Sequence, residues 1–296
     1  MSTGVRARII LNDASGGAAG AAGGAIDEAC GRAGVDARVI RVTRSGILEA
    51  AEPTAADEVL VAAGGDGTVS TLATVAVTKN LTFGIIPLGT LNHFARDAGI
   101  PQELDRAVAT IAGGRMRRFD VGEVNNVIFL NNASLGMYPR LVWERQLEET
   151  HGRAKWAAFA IALARGWRGY RTINVQMTVD GLALRRQTPF VFVGNGDYRA
   201  EGLDLGTRAA LDSGRLSMFV APGITRMQAL MLPFRALTRQ LPSDGLFEAF
   251  RAHQISIDGM RPEVGMALDG EIVLVSVPLH FAVRPRVLRM LVPQDT

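Results

Sequence analysis

The chain has 296 residues and 48% hydrophobic side chains, enough for two domains with sizeable cores. Its single cysteine, Cys30, excludes an intrachain disulfide and a cysteine-based zinc site, and its four histidines show no metal-ligand spacing. The net charge of +3 suits anionic ligands or an anionic membrane surface, and we expect no nucleic-acid partner. The longest apolar run, residues 156–164, is far too short to span a membrane, and no signal peptide is visible. We therefore expect a cytoplasmic protein that is soluble or peripheral to the inner face of the membrane.

The first hundred residues alternate apolar runs with helix-like segments. Strands are predicted at 6–11, 36–42, 59–63 and 82–87, helices at 18–33, 69–77 and 102–111, and a short helix or loop at 47–51. This alternation is typical of a mostly parallel sheet with helices on both faces, a three-layer α/β domain. Ligands of such sheets bind beyond the carboxyl ends of the strands. We therefore expect the turns at 12–16, 64–68 and 87–96 to lie together.

The third predicted strand runs directly into a glycine-rich turn, Gly64-Gly65-Asp66-Gly67-Thr68, which leads into a helix. Backbone N–H groups at a helix N-terminus bind phosphate, and glycines let the backbone approach the ligand closely. Asp66 is an anion where an anion should bind, which is explained if Mg²⁺ lies between Asp66 and the phosphate. The alternative is a tight strand-to-helix turn without a ligand. A second glycine motif, about 20 residues later, favours a nucleotide phosphate site.

Beyond residue 115 predicted strands follow one another. They lie at 117–123, 127–134, 173–180, 182–188, 189–193, 215–221, 254–258 and, in pieces, 264–277, and helical stretches at 138–167 and 226–239 interrupt them. Consecutive strands with turn signals indicate an antiparallel β-sandwich. We predict an α/β domain at 1–122 and a β-sandwich domain at 123–277. Whether the strand-like segment 278–296 returns to the first domain stays open.

The second glycine motif reads Pro87-Leu88-Gly89-Thr90-Leu91-Asn92-His93-Phe94-Ala95-Arg96. Together with the glycine-rich turn at this spacing, it resembles the diacylglycerol kinase catalytic-domain family, and the whole chain resembles the compact bacterial lipid kinases of that family. Weaker matches follow in the family's order at residues 12–16, 119–122, 194–195, 209–216 and 268–271. The resemblance covers essentially the full length.

The resemblance implies an NAD-kinase- or phosphofructokinase-like α/β domain that binds ATP and Mg²⁺, a β-sandwich domain that binds lipid, and an active site between them. It implies that Asp66 and Asp120 act at the metal, and that Glu271 is the general base for the lipid hydroxyl. The implied nucleotide-site residues are Asn12, Ser15, Gly16, Gly64, Gly65, Asp66, Gly67, Thr68, Gly89, Thr90 and Asn92. The chemistry is coherent, because carboxylates suit Mg²⁺ and phosphoryl transfer to a hydroxyl needs a base.

The residues alone leave alternatives for two of these positions. Asp120 has the alternative of a surface carboxylate at a strand end, and Asp269-Gly270-Glu271 that of a plain hairpin turn. Three positions depart from the family pattern: Asp13 stands in place of Pro, and His93 and Ser213 each stand in place of Asp. We therefore favour a structural role for His93 and leave open whether a second, structural Mg²⁺ site exists.

We expect an ATP- and Mg²⁺-dependent lipid kinase, with diacylglycerol as acceptor and phosphatidate as product. A sphingoid base, ceramide, another glycerolipid, a polyprenol or NAD stays open as the acceptor, as does a non-catalytic regulator that binds lipid or nucleotide. Residues 152–171 and 226–241 mix basic with apolar and aromatic side chains, as interfacial helices do. We expect peripheral membrane contact there; the alternative is two amphipathic helices packed on the sandwich. A homodimer is left open.

Overall fold

The structure is a computed structural model, and it describes residues 4–13, 19–136, 172–198, 208, 210–223, 225, 227 and 247–294. The predicted helices at 138–167 and 226–239, apart from Met227, lie outside the described residues, as do the predicted site residues Ser15 and Gly16. The chain divides into two compact units. Unit 1 comprises Met1–Val121 and Arg284–Thr296, and unit 2 comprises Gly122–Val283. No helix in the described ranges is long and apolar enough to cross a membrane.

Strands and helices are numbered along the chain. The strands are β1 (Arg6–Asn12), β2 (Asp36–Val42), β3 (Val59–Gly64), β4 (Thr82–Pro87), β5 (Arg115–Val124), β6 (Val127–Phe129), β7 (Asn132–Gly136), β8 (Ile173–Val179), β9 (Leu182–Thr188), β10 (Phe190–Asn195), β11 (Leu216–Val220), β12 (Glu248–Ala252), β13 (Gln254–Asp258), β14 (Glu263–Leu268), β15 (Glu271–Ser276) and β16 (Leu279–Val292). The helices are α1 (Ala19–Ala33), α2 (Ile47–Ala51), α3 (Asp66–Lys79), α4 (His93–Asp97) and α5 (Leu104–Gly113), with a 3₁₀ turn at Arg44–Gly46.

Unit 1 is built on a parallel sheet in the order β2-β1-β3-β4, and the last part of β16 pairs in parallel with β4. Every residue of β3 is buried, as expected for a parallel strand covered on both faces. Alternate β1 residues, Ile9 and Leu11, pack in one core with α1 and α5. Helices α2 and α3 pack together and contact β1 and β3. The predicted three-layer α/β fold is confirmed.

Unit 2 contains two antiparallel sheets. One has the order β12-β11-β10-β7-β14-β15, and the other joins the first part of β16 to β13, β8 and β9. Alternate residues of both sheets, among them Val193, Met266, Met177 and Phe281, form one buried core. The predicted β-sandwich is confirmed.

Two strand predictions in unit 2 differ from the structure. The predicted strand 127–134 is interrupted by a bend at Leu130 and Asn131, which we call the β6–β7 bend. The N–H groups of Leu130, Asn131 and Asn132 donate to the carboxylate of Asp269, so they cannot extend a strand ladder. Strand β12 was not predicted, because its sequence lacks β-branched residues; it forms by pairing with β11.

Candidate active site

The glycine-rich turn forms the start of α3. Strand β3 ends at Gly64, Gly65 is the N-cap with extended backbone (φ −89°, ψ −174°), and the helix begins at Asp66. The first helical hydrogen bond runs from the N–H of Val69 to the carbonyl of Gly65, at 3.0 Å. Because glycine has no side chain, the N-cap cannot accept from the N–H groups of the first turn. This uncapped helix end carries partial positive charge that suits a phosphate.

The second glycine motif packs directly against this turn. The N–H of Leu88 donates to the carbonyl of Gly64 at 3.0 Å. A Cβ atom at Gly89 would lie 2.5 Å from the Cα of Gly65 and 2.7 Å from Oδ1 of Asn92. Any side chain at position 89 would therefore push the two turns apart. Glycine is therefore required at position 89 for the close approach of two backbones.

A buried hydrogen bond ties the end of β1 to the same place. Nδ2 of Asn12 donates to Oγ1 of Thr68 at 2.9 Å, and both side chains are buried. Thr68 also fills the space beside Gly64, where a Cβ atom would lie 2.6 Å from Oγ1 of Thr68. The end of β1 and the turns that follow β3 and β4 therefore lie together, as the strand order predicts. Residues 14–16 of the first predicted turn lie outside the described residues.

Asn92 shapes the second turn from within. Its backbone is left-handed (φ 49°), and its Oδ1 accepts the N–H of Gly89 at 3.0 Å. Its Nδ2 donates to the carbonyl of Gly89 at 2.8 Å and to Oε1 of Gln102 at 3.0 Å. Both ends of the amide are thus engaged in holding the turn. Its neighbours Thr90 and His93 are exposed, and His93 begins the short helix α4.

Asp66 and Asp120, the two carboxylates predicted to act at the metal, occupy very different places in unit 1. Asp66 is half-buried in the first turn of α3, and no hydrogen bond or ion pair joins its side chain to another described residue. Asp120 is fully buried within β5, where its Oδ1 accepts the N–H of Arg286 at 2.8 Å. The alternative of a surface carboxylate at position 120 is therefore wrong. No group of three or more His, Cys, Asp or Glu side chains in the described ranges is arranged to hold a metal ion.

Glu271 lies in unit 2, at the start of β15. Asp269 and Gly270 form a two-residue turn with left-handed backbone (φ 47° and 85°), so Leu268 pairs with Glu271 across the hairpin. The hairpin alternative is thus correct as a description of the backbone. It does not exclude chemistry, because Glu271 is half-buried and is the first residue after the turn.

Two family models match the chain. The diacylglycerol kinase catalytic domain matches residues 6–124, and the YegS C-terminal NAD kinase beta sandwich-like domain matches residues 142–292, just over half of the chain. The chain belongs to the diacylglycerol kinase catalytic-domain family, as a YegS-type lipid kinase. The boundary between the two matches falls in the same region as the change from parallel to antiparallel strands.

Several curated proteins are similar to the chain over most of its length. The chain is 28% identical over 248 residues to proteins called probable lipid kinase YegS from Salmonella gallinarum and Salmonella newport, covering 80% of this chain and 79% of each relative. Solved structures of putative diacylglycerol kinases from Bacillus anthracis superpose with TM-scores of 0.71 and 0.72 at 22% identity. They cover 98% and 100% of this chain, and 97% and 100% of the Bacillus chains, and show the shared fold.

The sequence did not predict one set of contacts in unit 2, those of the β6–β7 bend. Asp269 binds the bend on one side, and three side chains that the sequence analysis did not assign to the site bind it on the other. These are Asn195, Tyr198 and Arg208. Asn195 belongs to a weak match to the family, but nothing in its neighbours indicates which groups it binds. Such contacts join residues far apart in the chain and have no local signature.

Proposed function

We propose that the protein is an ATP- and Mg²⁺-dependent lipid kinase that transfers the γ-phosphoryl group of ATP to a lipid hydroxyl, with diacylglycerol as the acceptor. The observation that supports this best is the close packing of the two glycine turns beside the uncapped start of α3, in a chain of a lipid-kinase family. Such an arrangement suits the phosphates of a nucleotide, since its ligands are backbone N–H groups that bind any phosphate oxygen.

The carboxylates fit a bound Mg²⁺ to different degrees. Asp66 fits directly, since it is a half-buried carboxylate without a described partner, next to N–H groups that suit phosphate. Asp120 is fully buried and one of its oxygens is engaged by Arg286, so we assign it a supporting place in the metal-linked network. When bound, Mg²⁺ would neutralise charge on the phosphates.

The chain's own groups supply the remaining chemistry. The oxygen of the lipid hydroxyl forms a bond to the γ-phosphorus while the bond from that phosphorus to the oxygen of the leaving ADP breaks. The hydroxyl proton passes to the carboxylate of Glu271, which acts as the general base. Positioned proton transfer of this kind contributes roughly 10²–10⁴-fold in rate. The products are a phosphorylated lipid and ADP.

A lipid acceptor also requires contact with a membrane surface. We propose that the segments 152–171 and 226–241, which combine arginine with aliphatic and aromatic residues, provide that contact; apart from Met227 they lie outside the described residues. Each basic residue near an anionic surface contributes about 1 kcal/mol. Replacing Arg165, Arg168 and Arg171 together by Ala should weaken sedimentation with phosphatidylglycerol-containing vesicles. Unchanged sedimentation of that variant would remove the first segment from the proposal.

The deciding experiment is phosphoryl transfer from radiolabelled ATP, with Mg²⁺, to a panel of acceptors in mixed micelles. The panel contains diacylglycerol, sphingosine, ceramide, a monoacylglycerol, undecaprenol and NAD. Labelled phosphatidate is the expected product. Label in NAD alone would overturn the lipid proposal, and ATP binding without label in any acceptor would support the non-catalytic regulator instead.

Variants of unit 1 test the nucleotide site separately from the acceptor. Asp66→Ala should lower kcat/KM by about 10²-fold or more, because it removes charge stabilisation of the transferring group. Gly89→Ala should abolish MgATP binding in calorimetry, because its Cβ would collide with Gly65. Gly31→Ala in α1 is the matched control, since a Cβ there meets open space and alanine favours a helix. Normal MgATP binding by Gly89→Ala would refute the assigned site.

A further inference from the structure

The tip of the β14–β15 hairpin is fastened to the β6–β7 bend by Asp269. Its Oδ2 accepts the N–H of Leu130 at 2.8 Å, and its Oδ1 accepts those of Asn131 at 2.7 Å and Asn132 at 3.1 Å. The N–H of Asp269 in turn donates to the carbonyl of Asn132 at 2.9 Å. Four hydrogen bonds thus join two segments that lie nearly 140 residues apart in the chain.

The opposite side of the bend is bound by hydrogen-bond donors. The carbonyl of Leu130 accepts from Nη1 of Arg208 at 2.6 Å and from Nδ2 of Asn195 at 3.0 Å. Nη2 of Arg208 donates to Oδ1 of Asn131 at 2.8 Å. The carbonyl of Asn131 accepts from the hydroxyl of Tyr198 at 3.0 Å and from the backbone N–H of Asn195 at 2.9 Å.

The peptide group that links Leu130 to Asn131 therefore lies with a negative charge on one side and a positive charge on the other. Its N–H points at the carboxylate of Asp269, and its carbonyl points at the guanidinium of Arg208. The peptide dipole is therefore aligned favourably with both charges. Hydrogen bonds to charged groups are shorter and stronger than neutral ones, and they polarise one another in a chain of this kind.

We infer that Asp269 is the positioning residue for Glu271, an inference that rests on the proposed function of Glu271 as general base. Within the described residues β15 pairs only with β14, so the location of Glu271 depends on the hairpin tip. Only Gly270 separates the fastened residue from Glu271. A carboxylate that is displaced by about 1 Å loses roughly 10²-fold in rate, because proton transfer needs hydrogen-bond reach.

The sandwich contains a matched hairpin that serves as the control. Asp180 and Gly181 form the same left-handed turn (φ 44° and 90°) between β8 and β9. The Asp180 carboxylate likewise accepts backbone N–H groups, from His253 at 3.0 Å and Gln254 at 2.9 Å. Asp180→Asn therefore removes the same kind of fastening at a place that no proposed reaction uses.

The test begins with Asp269→Asn, which keeps the shape of the side chain but turns an NH₂ group toward a backbone N–H. We expect kcat for the labelled lipid to fall about 10–100-fold with KM for MgATP unchanged. Asp180→Asn should keep kcat within twofold of wild type, compared with Asp269→Asn under conditions where both variants lose the same amount of melting temperature. Equal kcat values for the two variants would overturn the inference, since the loss would then be one of general stability.

A double-mutant cycle separates positioning from an independent effect. In a Glu271→Gln background, Asp269→Asn should lower the residual kcat no further, because it acts through the group already removed. An undiminished 10–100-fold loss in that background would refute the inference. Arg208→Lys, which keeps the cation but loses the two-point contact, repeats the cycle if Asp269→Asn does not fold.

Failure of the proposed function has a different signature. If wild-type protein labels no acceptor, the assignment of Glu271 as base fails, and the inference about Asp269, which depends on it, fails as well. If wild-type protein labels a lipid and Asp269→Asn matches it in kcat, only the inference fails. The two outcomes are read from the same assay, on the wild-type and variant proteins.

Discussion

The β-sandwich contains two hairpins with the same turn residues, Asp180-Gly181 and Asp269-Gly270. Both turns have two residues with left-handed backbone, and in both the aspartate accepts N–H groups from a neighbouring segment. An Asp-Gly turn whose carboxylate accepts backbone N–H groups is therefore a structural feature that the sandwich uses twice. The Asp-Gly pair is a strong hairpin signal and by itself carries no information about catalysis.

What differs is the residue that follows each turn and the segment to which the turn is fastened. Leu182 follows the first turn and is 59% exposed, whereas the half-buried Glu271 follows the second. Asp180 binds the start of β13, while Asp269 binds a bend that Arg208 holds from the other side. The second turn is thus distinguished by the carboxylate that follows it and by the hydrogen bonds that hold the bend to which it is attached.

The largest effect expected from this comparison is at the residue after the turn. Glu271→Gln should lower kcat about 10²–10⁴-fold, because it removes the proposed base while keeping the size of the side chain. Leu182→Gln, the same new side chain at the equivalent position, should keep kcat within twofold. Both are measured by lipid phosphorylation at saturating MgATP. A Glu271→Gln enzyme with wild-type kcat would mean that the two hairpins do not differ in function.

A smaller effect is expected at the second turn residue. A Cβ on Gly181 or Gly270 meets open space, so replacement by alanine is opposed only by the left-handed backbone, at about 1 kcal/mol each. Urea unfolding should therefore show similar losses for Gly181→Ala and Gly270→Ala. Only Gly270→Ala should also lower kcat, by several-fold, because it shifts the turn before Glu271. Parallel losses of kcat in both variants would contradict this distinction.

The smallest effect concerns the acid stability of the first hairpin. Partial loss of hydration raises the pKa of Asp180, but hydrogen bonds from Gln254 and His253 lower it more, and the net shift is downward. A lowered pKa in the folded state stabilises the protein above the unfolded value of about 3.9, and this stabilisation is lost as pH falls below it. The difference in unfolding free energy between wild type and Asp180→Asn should therefore shrink between pH 6 and pH 3. A difference that stays constant over this range would exclude the carboxylate's charge as its source.

The structural features that the sequence predicts correctly follow from local patterns and from strand order. The glycine-rich turn is visible because an apolar strand, consecutive glycines and a helical pattern are adjacent in the chain. Its proximity to the Gly89 turn and to Asn12 follows from strand order alone, since carboxyl ends of neighbouring parallel strands meet at one edge.

The parts that the sequence does not predict depend on distant partners. The strand is interrupted at Leu130 because three backbone N–H groups there donate to the carboxylate of Asp269. No pattern near Leu130 indicates an acceptor so far along the chain. Asp120 reads as a residue at a strand end, yet it is fully buried and bound by the N–H of Arg286. Strand β12 has no β-branched residues to indicate a strand and forms by pairing with its neighbour β11.

The contact between Gly65 and Gly89 has a consequence for redesign of the proposed nucleotide site. A Cβ at either position would press on the backbone of the other, at 3.3 Å from one side and 2.5 Å from the other. A side chain at Gly89 is therefore excluded unless the backbone moves, and one at Gly65 requires a shift of a few tenths of an ångström. A mutant library intended to change the phosphate donor should therefore vary Thr90 and His93, which are exposed, and keep both glycines.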